Sequence, residues 1–145
     1  MILIAHRGNM HGPNPKVENF PEYIDNALRA GYNVEIDVWL NKGHFFLGHN
    51  GPHYKTSLKM LQKKGVWVHA KNLDALEALL PNKRVNCFWH QEDDYTITSR
   101  GHLWTYPRKP ICPSSVIVCQ TLEETLAMTG EKIKGICSDY VGDLE

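Results

Sequence analysis

Glu35 and Asp37 stand one residue apart in the apolar segment VEIDV, residues 34–38. On a strand, residues two apart share a face. The two carboxylates therefore point together, while Val34, Ile36 and Val38 fill the opposite face. Like charges side by side repel, and burying them without partners is expensive. Two arrangements relieve that cost. A hard divalent cation can take oxygens from both acids. Alternatively, Arg7 and Lys71 can pair with them in a buried ion network. Spacing alone leaves both open.

His6 and His49 flank these acids in the chain. Unperturbed imidazole titrates near neutral pH, so the two are candidates for a general acid and a general base. Arg7 and Lys71 would then offer positive charge and donors to a phosphate. Gly8 would let the backbone approach closely. His90, Gln91 and Glu92 form a further polar group that could contact substrate or metal. Trp89, Tyr95, Trp104 and Tyr106 could line a pocket or simply pack. Trp104 is assigned to substrate binding because it falls near a strand end.

The elements that position these residues follow from short apolar runs. Candidate strands are 2–6, 34–40, 44–49, 66–70, 86–90, 102–106, 115–120 and 134–139. Many are almost continuously apolar, as in strands buried on both faces. Helical patterns occupy 20–30, 56–64, 73–80 and 121–129. Gly31, Gly65, Pro81 and Gly130 stop them, and Thr56 or Ser57 and the Thr121/Glu124 pair cap two of them. Alternating strands and helices point to a parallel sheet. In such sheets chemistry gathers at the carboxyl ends of the strands. Those ends carry His6 and Arg7; Glu35 and Asp37, leading to His49; His69 and Lys71; His90; and finally Asp139, which receives no role.

Composition narrows the classes. A chain of 145 residues suits one domain, here residues 1–145. Sixteen basic and sixteen acidic residues cancel, which argues against a general nucleic-acid binder. No apolar run approaches the roughly 20 residues of a membrane-spanning helix, and the first residues are too short and too early-charged for a secretory leader. The expectation is a cytoplasmic protein without a transmembrane segment. Cys87, Cys112, Cys119 and Cys137 form no CxxC pair, which argues against a zinc site, and the three in apolar strand-like runs read as small buried hydrophobes.

The stretches "IAHRGN", "VENF" and "VEIDVWLNKGHFFLGHN" together resemble the glycerophosphodiester phosphodiesterase family, within the wider superfamily that includes phosphatidylinositol-specific phospholipases C. Order and spacing match through residue 50; beyond it, "VHAKN" and "GICSDY" are similar in kind to the family's third and last strands. The resemblance implies that His6 and His49 are the acid–base pair. It implies that Glu35 and Asp37 hold a divalent cation, that Arg7 and Lys71 hold the phosphate, and that Glu18 and Asn19 order the first loop. The substrate would be a small or lipid-derived phosphodiester. A substrate hydroxyl would attack phosphorus while the two histidines exchange protons with the reacting oxygens. A lyase leaving a cyclic phosphate and a non-catalytic phosphate- or metal-binding module are the alternatives.

The chain departs from the family pattern at Val17 and Phe20, which flank Glu18 and Asn19 where the family has proline and threonine, and in three further ways. His69 stands where the family has a third metal-binding carboxylate. A histidine ligand is neutral and softer, so magnesium or calcium would be joined by manganese or zinc as candidates; alternatively His69 only hydrogen-bonds. Only 22 positions separate His49 from Lys71, leaving little room for the family's usual insertion. The third departure is length, since a (β/α)₈ barrel typically needs about 250 residues, and about 200 at the short end. The expectation is a reduced TIM-type barrel of about eight short strands and about four helices, with the other helices missing or replaced by loops. An open barrel, or a second copy completing the site in a homo-oligomer, is the alternative.

Overall fold

The computed structural model describes residues 1–144. The elements in chain order are strand β1 (Ile2–His6), helix α1 (Pro21–Arg29), β2 (Asn33–Asn41), β3 (His44–Leu47), β4 (Tyr54–Lys55), α2 (Leu58–Leu61), β5 (Val66–Ala70), α3 (Leu73–Leu79), β6 (Asn86–Phe88), β7 (Tyr95–Ile97), β8 (Leu103–Thr105), β9 (Ser115–Cys119), α4 (Leu122–Met128) and β10 (Gly135–Ser138). A single 3₁₀ turn, Val141–Asp143, follows.

The expected TIM-type barrel is not what forms. The strands make one ten-stranded mixed sheet, curled into a half-barrel, with four short helices. Its main row runs β6-β5-β2-β1-β10-β9-β8-β7. All neighbours in that row are parallel except β7, which runs against β8. The antiparallel β3 and β4 extend from the far half of β2. The physical reason is chain length. A hairpin and a four-residue helix carry the chain from β2 to β5, and the β7 strand with its loops carries it from β6 to β8. The strands β3 and β4 take up most of the first link and β7 with its loops takes up the second, so neither carries a covering helix of ordinary size. The ends of the curl approach each other without a ladder: the Ser99 amide donates to the Cys87 carbonyl at 2.7 Å, and Thr96 Oγ1 donates to the Trp89 carbonyl at 3.0 Å.

Each helix begins where its sequence supplies a cap. The side chains of Ser57, Asn72 and Thr121 accept from the third amide ahead in α2, α3 and α4. Glu124 reaches back to the Gln120 amide at 2.8 Å and is held below the usual carboxylate range, chiefly by that bond. α1 has proline at its start instead.

The sheet has two apolar sides. On the convex side Val34, Ile36 and Val38 pack with Ile24 and Ala27 of α1, Leu61 of α2 and Leu79 of α3, all fully buried. Each of the larger side chains contributes about 1.5–3 kcal/mol by leaving water. Inside the curl, six strands each give one residue to a second cluster: Ile4, Trp67, Phe88, Trp104, Val116 and Cys137. Three of the cysteines are buried, as small hydrophobes should be, and Cys112 is exposed. No helix among the described residues is long and apolar enough to cross a membrane.

Candidate metal centre and surrounding cavity

Parallel register brings the chemistry together. Glu35 on β2 pairs with His6 on β1, and Asp37 pairs with His69 on β5. Paired residues of parallel neighbours share a face, so all four side chains point into the curl above the inner cluster. Glu35 and Asp37 are 2% and 1% exposed, which rules out relief of their repulsion by water.

Asp37 is surrounded by donors. Asn19 Nδ2 donates to its Oδ2 at 2.9 Å, and the Asp37 amide donates to Asn19 Oδ1 at 2.9 Å. Arg7 Nε lies 3.2 Å from Oδ2, and the His49 ring passes at 3.5 Å with its Nδ1 turned to accept from Arg7. His69 Nδ1 lies 3.3 Å and Lys71 Nζ 3.9 Å from Oδ1. Burial pushes the Asp37 carboxyl up, but these bonds and charges outweigh it and hold it well below its usual range. Glu35 is served less well. His69 Nδ1 is 3.6 Å from its Oε1 and His6 Nε2 is 3.7 Å from its Oε2. Oε2 is buried and has no hydrogen-bond partner.

The loop after β1 is shaped to deliver Arg7. Arg7 (φ 55°) and Asn19 (φ 62°) both adopt the left-handed conformation, and the Asn19 amide donates to the Arg7 carbonyl at 3.1 Å. The Arg7 amide donates to the Glu35 carbonyl at 2.8 Å, extending the ladder. Gly8 (φ 89°) packs against Tyr23, where a Cβ would come within 2.9 Å of the ring. So fixed, the guanidinium donates through Nη1 to Glu18 Oε2 at 3.2 Å and through Nη2 to His49 Nδ1 at 2.8 Å. His49 itself is presented by the turn after β3, where the Gly48 amide donates to the Asp37 carbonyl at 3.1 Å.

His6 and His69 are each oriented from behind. His6 Nδ1 donates to Asp139 Oδ1 at 2.9 Å, leaving Nε2 toward Glu35. Burial works against the charged ring, but the Asp139 bond and the Glu35 charge raise its pKa above the ordinary value. His69 Nε2 donates to the His90 carbonyl at 2.8 Å, and its ring stacks on Phe88 at 5.1 Å. That bond aims Nδ1 at the two acids. Burial disfavours the imidazolium, but hydrogen bonds to Asp37 and Glu35 raise its pKa to about 9.

The buried Glu35, Asp37 and His69 group could hold a metal ion: one ligand atom from each lies within 4.8 Å of the others. Two observations fit that use. Glu35 Oε2 is an acceptor with no donor. His69 also has the arrangement usual in metal-binding histidines, with the outer nitrogen tied to a carbonyl so that the inner one faces the ion. Two carboxylates and an imidazole suit a divalent cation from magnesium through manganese to zinc, and the identity is not selected further.

Arg7, Glu18, Asn19, His49 and Asp139 also line a cavity of about 440 Å³, together with Asn50, His53 and Tyr54. Nine of the ten residues assigned a site role from the sequence thus converge: His6, Arg7, Glu18, Asn19, Glu35, Asp37, His49, His69 and Lys71. Trp104 does not join them. It is 4% exposed and packs in the inner cluster against Phe88 at 4.5 Å and Trp67 at 5.9 Å, which corrects its assignment to substrate. His90 contributes its carbonyl, while its ring Nε2 donates to the Asp93 carbonyl at 2.7 Å. Gln91 and Glu92 are exposed.

Two partners went unassigned in the sequence. Asp139 holds His6, and the fully buried Asn9 donates to both Asp139 Oδ1 at 2.8 Å and Glu18 Oε1 at 3.0 Å. The signal for Asp139 was its place at the end of the last strand, but that becomes telling only once β10 is known to lie beside β1.

The chain matches no protein-family model and no curated protein.

Proposed function

We propose that the chain is a metal-dependent phosphodiesterase acting on a glycerophosphodiester or similar small or lipid-derived phosphodiester. One observation carries this reading: two histidines, an arginine and a lysine converge on a buried Glu35–Asp37–His69 cluster that has an unpaired carboxylate oxygen. The resemblance of residues 2–50 to glycerophosphodiester phosphodiesterases supports it.

The chemistry divides among named groups. Arg7 and Lys71 bind the non-bridging phosphate oxygens. Binding draws Arg7 Nη2 from His49 and frees His49 Nδ1 to act as base. A substrate hydroxyl forms a bond to phosphorus and gives its proton to His49. His6, whose proton is held by Asp139 and Glu35, donates from Nε2 to the departing alkoxide as the old P–O bond breaks. The products are a cyclic phosphate and an alcohol; water opens the ring with the proton roles reversed in a hydrolase, and a lyase stops before that step. A divalent cation on Glu35, Asp37 and His69 would supply stabilisation of the negative charge that gathers on the phosphoryl oxygens.

A second reading rests on charge balance. Glu18, Glu35, Asp37 and Asp139 are met by Arg7, Lys71, His6 and His69, so an ion network without turnover is self-sufficient. A panel of phosphodiesters, assayed with magnesium, calcium, manganese and zinc in turn and followed by phosphorus NMR, separates the two. Metal-stimulated loss of a diester is expected. Its absence with every metal leaves the binding network as the reading.

A further inference from the structure

The opposite mouth of the curl has a different character. Asn33 starts β2 four residues before Asp37, about 13 Å away along the strand. Around Asn33 lies a second cavity, of about 530 Å³. Its rim carries Lys63, Lys64, Lys83, Arg84 and Arg100, and among the described residues no acidic one lines it. Five of the chain's sixteen lysines and arginines therefore meet at one opening, although the whole chain is neutral. Only Lys63 has a carboxylate partner in the structure, Asp25 at 3.0 Å, among these five described side chains. All five side chains are exposed, so together they give the opening a positive potential that attracts an anion.

The floor of the cavity supplies an independent sign. Asn86, 8% exposed, lies in that floor. His102, also in the lining, has a buried Nδ1 with no partner and leans on Trp67 at 4.7 Å. Buried polar groups are normally paired. Burial and the positive charge of Lys134 and Arg100 hold the His102 imidazole below its ordinary range, a local record of the positive potential.

We propose that this mouth is an anion site for a small ligand carrying two or more phosphate groups, distinct from the candidate metal centre. The rim cations take the phosphate oxygens. His102, whose buried Nδ1 has no partner in the structure, donates from below in its protonated form. The size suits a free oligophosphate or a phosphorylated headgroup, and the chemistry of recognition is the same for both.

Calorimetric titration of the metal-free chain with inorganic tripolyphosphate tests the site. Lys83 and Arg100 are exposed, so the Lys83→Ala/Arg100→Ala variant should keep its circular dichroism. The expected result is the loss of one bound tripolyphosphate per chain, or at least a tenfold weakening, in that variant, with the same site kept in His49→Ala at the other mouth. The His102 ring, followed by NMR, should titrate at higher pH when tripolyphosphate is bound. A parallel arm with vesicles bearing a multiply phosphorylated inositol lipid identifies the source: binding of both probes extends the site to membrane-borne headgroups, and binding of tripolyphosphate alone restricts it to free anions. Unchanged stoichiometry and affinity in the double variant, binding of vesicles without tripolyphosphate, or orthophosphate binding as tightly as tripolyphosphate would each overturn the proposal.

Discussion

His69 Nε2 lies 2.8 Å from the carbonyl oxygen of His90, and that contact determines what the other ring nitrogen faces. Nδ1 is left between Glu35 and Asp37, where either a proton or a metal ion can sit, but not both. In the metal-free protein the proton wins, because two carboxylates raise the pKa to about 9. Metal binding must therefore release it.

The first prediction is a paired pH dependence. The His69 pKa is higher in the folded chain than its ordinary 6.5, so its stabilising effect is full below about 6.5 and is lost as pH rises through about 9. Urea midpoints of metal-free protein should fall over that window, and His69→Gln should flatten the fall. Manganese affinity should rise over the same window and level off above it, with close to one proton released per ion in calorimetry. An unchanged slope in His69→Gln would show that another group titrates.

Asp139 acts through His6 rather than on substrate. Asp139→Asn keeps a hydrogen-bonding group of the same size but removes the charge. The His6 pKa, read by NMR, should drop, and turnover should fall roughly 10–100-fold, as for lost outer partners of functional histidines. A fall in turnover with an unmoved His6 titration would argue for general damage to the fold.

Asn19 holds Asp37 with two hydrogen bonds while sitting at φ 62°. Asn19→Ala strands buried groups and strains the backbone, and should cost about 3 kcal/mol in urea unfolding. Asn19→Gly removes the strain alone and should recover about 1 kcal/mol of that loss. Equal stability of the two variants would mean that the left-handed turn contributes nothing.

Trp104 tests where the substrate is not. Trp104→Leu should lower stability by about 2–3 kcal/mol through lost packing on Phe88 and Trp67. The KM for a cleaved diester should stay within twofold. A large rise in KM at unchanged stability would return this residue to the pocket.

Much of the site was legible because a parallel sheet delivers strand ends to one rim. His6, His69 and Lys71 each fall at such an end, and apolar periodicity located those ends; Glu35 and Asp37 lie inside the nine-residue β2, close to where its parallel pairing with β5 stops at Val38. All eight candidate strands and all four helices appear, several of them shorter at their ends. Tyr54–Lys55 and Tyr95–Ile97 escaped notice because strands of two and three residues carry no periodic signal. With the antiparallel β3 they make the sheet mixed. Alternation of strands and helices points to a parallel sheet, and the family resemblance to a reduced TIM-type barrel; the antiparallel β3, β4 and β7 instead leave a mixed sheet curled into a half-barrel. Trp104 misled for a related reason: β8 spans three residues, so a residue near its end is still inside the curl. The Asp139–His6 contact joins residues 133 positions apart and depends on β10 lying beside β1, which no local pattern reveals.

The most direct measurement is turnover of a cleaved phosphodiester by the manganese-loaded chain, compared with His6→Ala and His49→Ala at equal circular dichroism. Loss of each proton-transfer group should lower kcat at least 100-fold, by the usual contribution of a general acid or base, with manganese still bound. Full turnover in both variants would contradict the assignment of the two histidines and the phosphodiesterase account built on them.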